Sequence, residues 1–599
     1  MGIRSTFVLL WVALSVGCAA DAGDVAADGG AGDHSVPAGD RDRAAADTEW
    51  FTDRAPAVGL DFVHVNGASG AFHYPELLPP GVGLLDYDND GDLDAYLVQG
   101  QLLDAGRTPA NARMPPTQSM PLMGRLYRND LQAQPDGSHA PRFTDVTTQS
   151  GIDADGYGLG VAAGDVDNDG WVDLLLTNFG PNRLYRNDGD GTFTDVSGPS
   201  GIAPAPGFAV SAAFVDYDRD GWLDLYVGYN VDYRLDSGID CATMADARDY
   251  CPPETYGGTP DHLYRNQGGG QFVDVSDTAL VGGRFGPALG VATADYDGDG
   301  WADIYVANDG TENLLWMNQR DGTLRDAALL SGVALSGLGV TEASMGVDAG
   351  DYDNDGDEDL FMTHLTREGN NLYVNDGAGS FRDRSTTSGL GPGSMAYTGW
   401  GTSWFDYDND GWLDVLAVNG TITARQGRAD HQFPYDQRKT LFRNLRDGHF
   451  ADVTEQAGVV FQRSEAGRGA AFGDVDNDGD MDVLVGNNAG PVQLLINNVG
   501  NRSHWLGLRL VDVAGRDALN ARVAVRRQDV ETVWRRARSD GSYASANDPR
   551  VLIGLGASVD RPAVEVWWPS GHREEWHDLE IDRWTTLREG DGAAGRLTP

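Results

Sequence analysis

The stretch Asp165-Val-Asp-Asn-Asp-Gly-Trp-Val-Asp173 puts four carboxylates into nine residues, and the chain repeats it seven times. The copies are DYDNDGDLD from Asp86, DVDNDGWVD from Asp165, DYDRDGWLD from Asp216, DYDGDGWAD from Asp295, DYDNDGDED from Asp351, DYDNDGWLD from Asp406 and DVDNDGDMD from Asp474. Every copy keeps Asp at positions 1, 3, 5 and 9 and Gly at position 6. Alternate carboxylates at 1, 3 and 5 converge on one point when the chain curls, and Gly at 6 permits the sharp turn. A backbone carbonyl near position 7 and the Asp at 9 complete an oxygen shell, whose irregular, carboxylate-rich character suits Ca²⁺ better than Mg²⁺. The expected ligands are Asp86, Asp88, Asp90 and Asp94; Asp165, Asp167, Asp169 and Asp173; Asp216, Asp218, Asp220 and Asp224; Asp295, Asp297, Asp299 and Asp303; Asp351, Asp353, Asp355 and Asp359; Asp406, Asp408, Asp410 and Asp414; and Asp474, Asp476, Asp478 and Asp482. About one Ca²⁺ per repeat is expected. Solvated acidic turns without a metal are the alternative, and sevenfold retention of four positions argues against it.

These are not EF-hands, which need a bidentate Glu at position 12 and flanking helices. Position 12 holds Leu97, Leu176, Val227, Val306, Met362, Ala417 and Val485, none of which binds a metal. The residues after each loop (DLLLT, DLYVG, DVLVG and their counterparts) form short apolar runs with the character of buried strands. Trp171, Trp222, Trp301 and Trp412, at position 7, are expected to pack between repeats.

The loops start 79, 51, 79, 56, 55 and 68 residues apart, and each repeat holds about four strand-sized runs, which predicts a propeller rather than a solenoid. The third run always ends in Asn: Asn129, Asn187, Asn266, Asn318, Asn375, Asn444 and Asn497. The fourth run is out of phase, with one copy at Phe51 ahead of the first loop and none after the last. The predicted fold is therefore all-β: a seven-bladed β-propeller over residues 49–500, its N-terminal strand closing the last blade, followed by a small C-terminal β domain at 501–590 and a tail at 591–599. The long spacings place insertions at roughly 99–124, at 231–260 and from Thr421.

The N-terminus, MGIRSTFVLLWVALSVGCAAD, has one Arg and an apolar run from Phe7 to Val16, too short to span a membrane. Residues 1–17 read as a signal peptide of lipoprotein type. Leu14-Ser-Val-Gly-Cys18 resembles a bacterial lipobox, with Cys18 the lipidated residue, although Ser15 stands where Leu is usual; simple cleavage nearby is the alternative. Residues 18–48 are rich in Ala, Gly and Asp and read as a disordered tether. The other two cysteines, Cys241 and Cys251, have no His or further Cys beside them and are expected to form a disulfide that contributes roughly 2–3 kcal/mol. The expected location is outside the inner membrane, lipid-anchored in a bacterial envelope or at the cell surface.

With 91 acidic and 44 basic residues the net charge is -47, which leaves no basic face for nucleic acid. The loops hold 32 of the acidic residues. His64, His73, His262, His364 and His431 stand alone, and no HExxH, GxSxG, P-loop or CxxC occurs. No catalytic residue is assigned.

After Asn501 the repeats stop. Asn520-Ala-Arg-Val523, Asp540-Gly-Ser-Tyr543, Ile553-Gly-Leu-Gly556 and Val566-Trp-Trp-Pro-Ser-Gly571 resemble the ASPIC/UnbV domain. With repeats resembling FG-GAP/VCBS, the whole resembles the bacterial branch of the cartilage acidic protein family. Asn520 stands where that family usually has Gly, and no EGF-like module follows. The resemblance implies a calcium-binding, extracytoplasmic propeller acting as an adhesion or scaffold protein. Its expected partner is a protein or glycan at the cell surface, with Trp567 and Trp568 as candidate platform residues; both also fit a core strand. An envelope enzyme or enzyme-assembly factor with a site in the propeller channel is the alternative.

Overall fold

The computed structural model describes residues 49–595 apart from 105, 107, 109, 111, 113–120, 136, 203–206, 243–247, 424–434 and 529. The expected signal peptide, Cys18 and the tether lie outside the described residues, as does His431. The described chain is all-β, with only single helical turns between strands.

Each acidic loop joins the first two strands of a four-stranded antiparallel arrangement. In the second repeat these strands are Tyr157–Gly164, Asp173–Gly180, Arg183–Asn187 and Phe193–Asp195. The same order recurs in sheets whose first strands are Val82–Leu85, Gly207–Val215, Ala288–Ala294, Val347–Gly350, Gly399–Phe405 and Gly467–Gly473. The fourth strands are shorter than their sequence run suggests. Phe193–Asp195 ends where Asp195 Oδ1 accepts the Ser197 N–H at 2.9 Å and turns the chain into the single helical turn Ser197–Ser200.

The last sheet draws on both ends of the repeat region. Gly467–Gly473, Asp482–Asn487 and Gln493–Asn497 are completed by Phe51–Asp53, which pairs antiparallel with Leu495, Ile496 and Asn497. First strands neighbour each other in chain order, and Val82–Leu85 also lies against Gly467–Gly473. Alternation along the strands puts apolar side chains between adjacent sheets. One core joins Leu84, Ala95 and Leu97 of the first sheet to Ala471, Leu484 and Leu494 of the last.

Beyond the repeats, two sheets share one apolar core. The first pairs Val551–Gly556, His504–Val511 and Trp584–Arg588; the second pairs Val533–Arg536, Arg522–Arg526, Ala563–Trp567, Arg573–Trp576 and Ala593–Ala594. Between them, residues 538–548 leave this module and run among the first strands of all seven repeats. Ser545 Oγ accepts the Val82 N–H (3.2 Å), Ala544 O the Val161 N–H (3.1 Å), and the Ala544 N–H goes to Ser211 Oγ (3.0 Å). Asp540 Oδ2 accepts the Thr293 N–H (2.5 Å), Ser542 O the Val347 N–H (3.0 Å), Ser542 Oγ the Thr402 N–H (3.2 Å) and Asn547 Oδ1 the Phe472 N–H (3.1 Å). Tyr543 is fully buried there, edge-on to Trp400.

Candidate metal centres and their surroundings

The seven loops share one hydrogen-bond plan. The position-1 carboxylate accepts the position-5 N–H at 2.9–3.2 Å through Oδ1 and the Gly N–H at 2.7–3.2 Å through Oδ2. Gly at position 6 adopts φ between 86° and 100° in every loop. Position 4 is left-handed too: Asn89, Asn168, Arg219, Asn354, Asn409 and Asn477 have φ of 53–59°, and Gly298 has 71°. That second strained position escaped the sequence reading, although five Asn and one Gly at position 4 are a signal for it.

The curl brings the expected ligands together. Carboxylate oxygens lie within 4.8 Å of one another in Asp86/Asp88/Asp90, Asp165/Asp167/Asp173, Asp216/Asp218/Asp224, Asp295/Asp297/Asp299 and Asp351/Asp353/Asp355. Position 9 is therefore in the close group of the second and third loops. In the first, fourth and fifth, position 5 takes that place. In the last two loops Asp408 and Asp410 crowd Asp406, and Asp478 crowds Asp474. Oδ1 of the position-3 residue is buried without a hydrogen-bond partner in Asp88, Asp167, Asp353, Asp408 and Asp476. Burial, reinforced by like charge, pushes Asp86, Asp165, Asp216 and Asp295 up to about 6 and Asp406 to about 8. All-oxygen donors with one orphaned carboxylate oxygen at the same position fit a hard divalent cation, which would offset both the desolvation and the repulsion.

Position 9 also has a structural task. Oδ2 of Asp94, Asp173, Asp224, Asp303, Asp359, Asp414 and Asp482 accepts the position-2 N–H at 2.9–3.4 Å. Oδ1 accepts the N–H of the Asn that ends the third strand, at 2.7–2.9 Å. Each of those Asn side chains donates to the position-2 carbonyl of the preceding loop at 2.7–2.9 Å: Asn187 to Tyr87, Asn266 to Val166 and onward to Asn497 to Tyr407, while Asn129 reaches Val475. The invariance of these Asn was visible in the sequence; their partner was not. Position-4 Asn side chains tie the loops in the other direction, donating to the Gly carbonyl of the next loop: Asn89 to Gly170, Asn168 to Gly221, Asn354 to Gly411, Asn409 to Gly479 and Asn477 to Gly91 (2.8–3.2 Å).

The C-terminal module grips the same loops with arginines. Arg509, Arg516, Arg535 and Arg550 donate to the side-chain oxygens of Asn89 (3.2 Å), Asn168 (3.0 Å), Asn354 (3.3 Å) and Asn477 (2.8 Å). Trp584 Nε1 donates to Asp474 Oδ2 at 3.0 Å. Trp171 packs against Gly189 and Trp222 against Gly268 within their own repeats, while Trp301, as expected, meets the neighbouring repeat, lying under Arg219 of the preceding loop at 4.6 Å. Trp568 is a core residue, and Trp567 is half-buried with Arg573 at 3.7 Å and Arg522 at 5.3 Å.

Cys241 and Cys251 form the expected disulfide. The insertion it closes meets the other two. Tyr435 Oη donates to Asp249 Oδ1 (3.0 Å), Tyr250 Oη to Glu76 Oε2 (2.7 Å), and His73 lies between Asp104 (2.6 Å) and Tyr233 (2.8 Å). Of the other histidines, His64 and His364 are buried, and burial drops them to about 3 and about 4. His262 pairs with Asp274 at 2.7 Å.

Repeats of this plan, carried on an all-β scaffold and gripped by a C-terminal β module, define the class of protein. Residues 165–227, 254–306, 295–362, 351–417 and 427–485 match the FG-GAP-like repeat, and residues 513–594 match the ASPIC and UnbV domain. The chain is 25% identical to cartilage acidic protein 1 of Mus musculus over 523 residues, covering 83% of this chain and 71% of the mouse protein. It is 24% identical to the Homo sapiens protein, covering 83% and 70%. The chain thus carries FG-GAP-like repeats followed by an ASPIC and UnbV domain and is homologous to cartilage acidic protein 1. Among solved structures, an Agrocybe aegerita lectin that recognises non-reducing terminal N-acetylglucosamine is similar at 17% identity, over 57% of this chain and 83% of the lectin. Its TM-score of 0.32 is too low to carry an argument.

Proposed function

We propose that the chain is a calcium-binding, closed seven-bladed propeller that serves outside the cytoplasm as a scaffold for binding a protein or glycan. The observation that carries the metal reading is the buried, unpartnered Oδ1 at position 3 in five loops, each amid converging carboxylates. Closure is supported by three contacts between the first and last repeats: the Asn129–Val475 bond, the Asn477–Gly91 bond, and the strand Phe51–Asp53 on Gln493–Asn497. The disulfide supports an oxidising compartment. No described helix is long and apolar enough to cross a membrane, and attachment through a lipid on Cys18 rests on the sequence. The insertions that meet around Tyr250 and Tyr435 are the preferred partner surface.

A second reading, an envelope enzyme or assembly factor, has one observation in its favour: His73 held between Asp104 and Tyr233. Against it, residues 538–548 fill the space among the first strands, where a channel site would lie.

Two measurements test the proposal. Calcium bound per chain is counted by equilibrium dialysis, about one per loop being expected. Immobilised residues 49–599 are then exposed to envelope extract and polysaccharides with Ca²⁺ or with chelator. A ligand held only with Ca²⁺ supports the scaffold reading. A folded protein that binds no calcium overturns the metal reading, and one that retains nothing shifts weight to His73.

A further inference from the structure

The seven loops are not equally open. The position-5 carboxylates Asp90, Asp169, Asp220 and Asp355 are exposed, whereas in the last loop Asp474, Asp476, Asp480 and Asp482 are all buried, together with Gly479. That loop carries a fifth carboxylate, Asp480, and both Asp476 Oδ1 and Asp480 Oδ1 are buried without hydrogen-bond partners. Five acidic groups packed this way, with two orphaned oxygens, concentrate charge that a bound cation would neutralise.

What covers them is the C-terminal module and the segment leading into it. The Trp505 ring lies on Gly479 so closely that a Cβ there would fall 1.8 Å from Cε2. Asn501 donates its side-chain amide to Asp478 Oδ2 (2.5 Å) and its N–H to Asp480 Oδ2 (3.0 Å). Trp584 Nε1 holds Asp474 Oδ2 (3.0 Å), and Arg550, stacked on Trp584 at 4.2 Å, holds the Asp474 carbonyl (2.9 Å). Asn409 of the neighbouring loop closes the remaining side through the Gly479 carbonyl (2.8 Å).

Building on the calcium reading above, we propose that the loop Asp474–Asp482 is a sealed cation site, whose ion exchanges only when the C-terminal module lifts off it. An ion there is structural and long-lived. Those of the exposed loops equilibrate with the medium, because a ligand route that requires local opening is slowed by the population of the open state.

The test is calcium release from the full chain. The protein is loaded with calcium, the bound ions are counted at equilibrium, and an excess of fluorescent chelator is added by rapid mixing. One ion per chain is expected to leave at least about tenfold more slowly than the rest. Trp584→Phe, which removes the N–H donor and part of the ring area that packs on Arg550, and Asn501→Ala should each accelerate that phase alone, and Asp90→Asn in the first loop should not alter it. Release of all counted ions in one phase overturns the proposal, as does a slow phase unchanged in both variants. A chain that binds no calcium overturns it together with the reading it rests on, and the equilibrium count tells those failures apart.

Discussion

Lys439 is buried with its ammonium donating to Gln493 Oε1 at 2.6 Å, and burial drops it to about 8. The unfolded chain holds that proton up to the ordinary lysine range, so between about pH 8 and 10.5 the unfolded state binds more protons and stability rises with pH. Against a Lys439→Met variant, the wild type should gain at most about 3 kcal/mol across that window; urea midpoints at pH 7.5 and 9.5 measure the difference. Glycines at position 6 give a second residue-scale test. Gly91 (φ +90°) has nothing within 4 Å of an added Cβ, so Gly91→Ala reports backbone strain alone, about 1 kcal/mol. Gly479→Ala adds a collision with Trp505 and should cost at least about 2 kcal/mol more. Equal denaturation midpoints for the two variants would show that Trp505 does not seat on the loop.

At the scale of the element, the third-strand Asn is the joint between neighbouring sheets. Its backbone N–H holds the position-9 carboxylate of its own loop, and its side-chain amide holds the position-2 carbonyl of the preceding loop, so a single residue sets both strand register and sheet spacing. Asn187→Ala leaves the Tyr87 carbonyl without its donor and should cost about 1–3 kcal/mol. Asn129→Ala, at the junction of the first and last sheets, should cost as much if the ring is closed as proposed. A negligible effect at Asn129 with a full effect at Asn187 would sink closure. The acidic loop, its left-handed glycine and the strand after it were legible because each depends on residues within about twelve positions. The helical turn that cuts short the fourth strand is equally local; its signal is the Asp-x-Ser within TFTDVSGPSGI, which the strand-sized run absorbs.

Across the whole molecule, cations and the C-terminal module act on the same structure. Calcium removal should lower the thermal midpoint sharply, because each site filled at a hundred times its dissociation constant contributes about 2.7 kcal/mol. A melt insensitive to chelator would contradict the metal reading. A chain ending at Asn501 loses hydrogen bonds to the first strands of all seven repeats and should melt well below the full chain, whereas the full chain should unfold in one transition. Two separate transitions in the full chain would mean that residues 538–548 do not tie the modules together.

Repetition let the sequence by itself determine the number of acidic loops, their all-β setting and the N-terminal strand's place beside the last repeat; the cysteine pair was legible from its closeness in the chain. Copies of one pattern within one chain are independent trials of the same local physics. Only the tertiary structure decided which side chains fill the centre, that Arg509, Arg516, Arg535 and Arg550 of the C-terminal module read four loop asparagines, and that the insertions meet around Tyr250. Those contacts join residues up to several hundred positions apart. No local propensity encodes them; they exist because closing the hydrophobic interfaces between sheets brings the loop ends within hydrogen-bond reach.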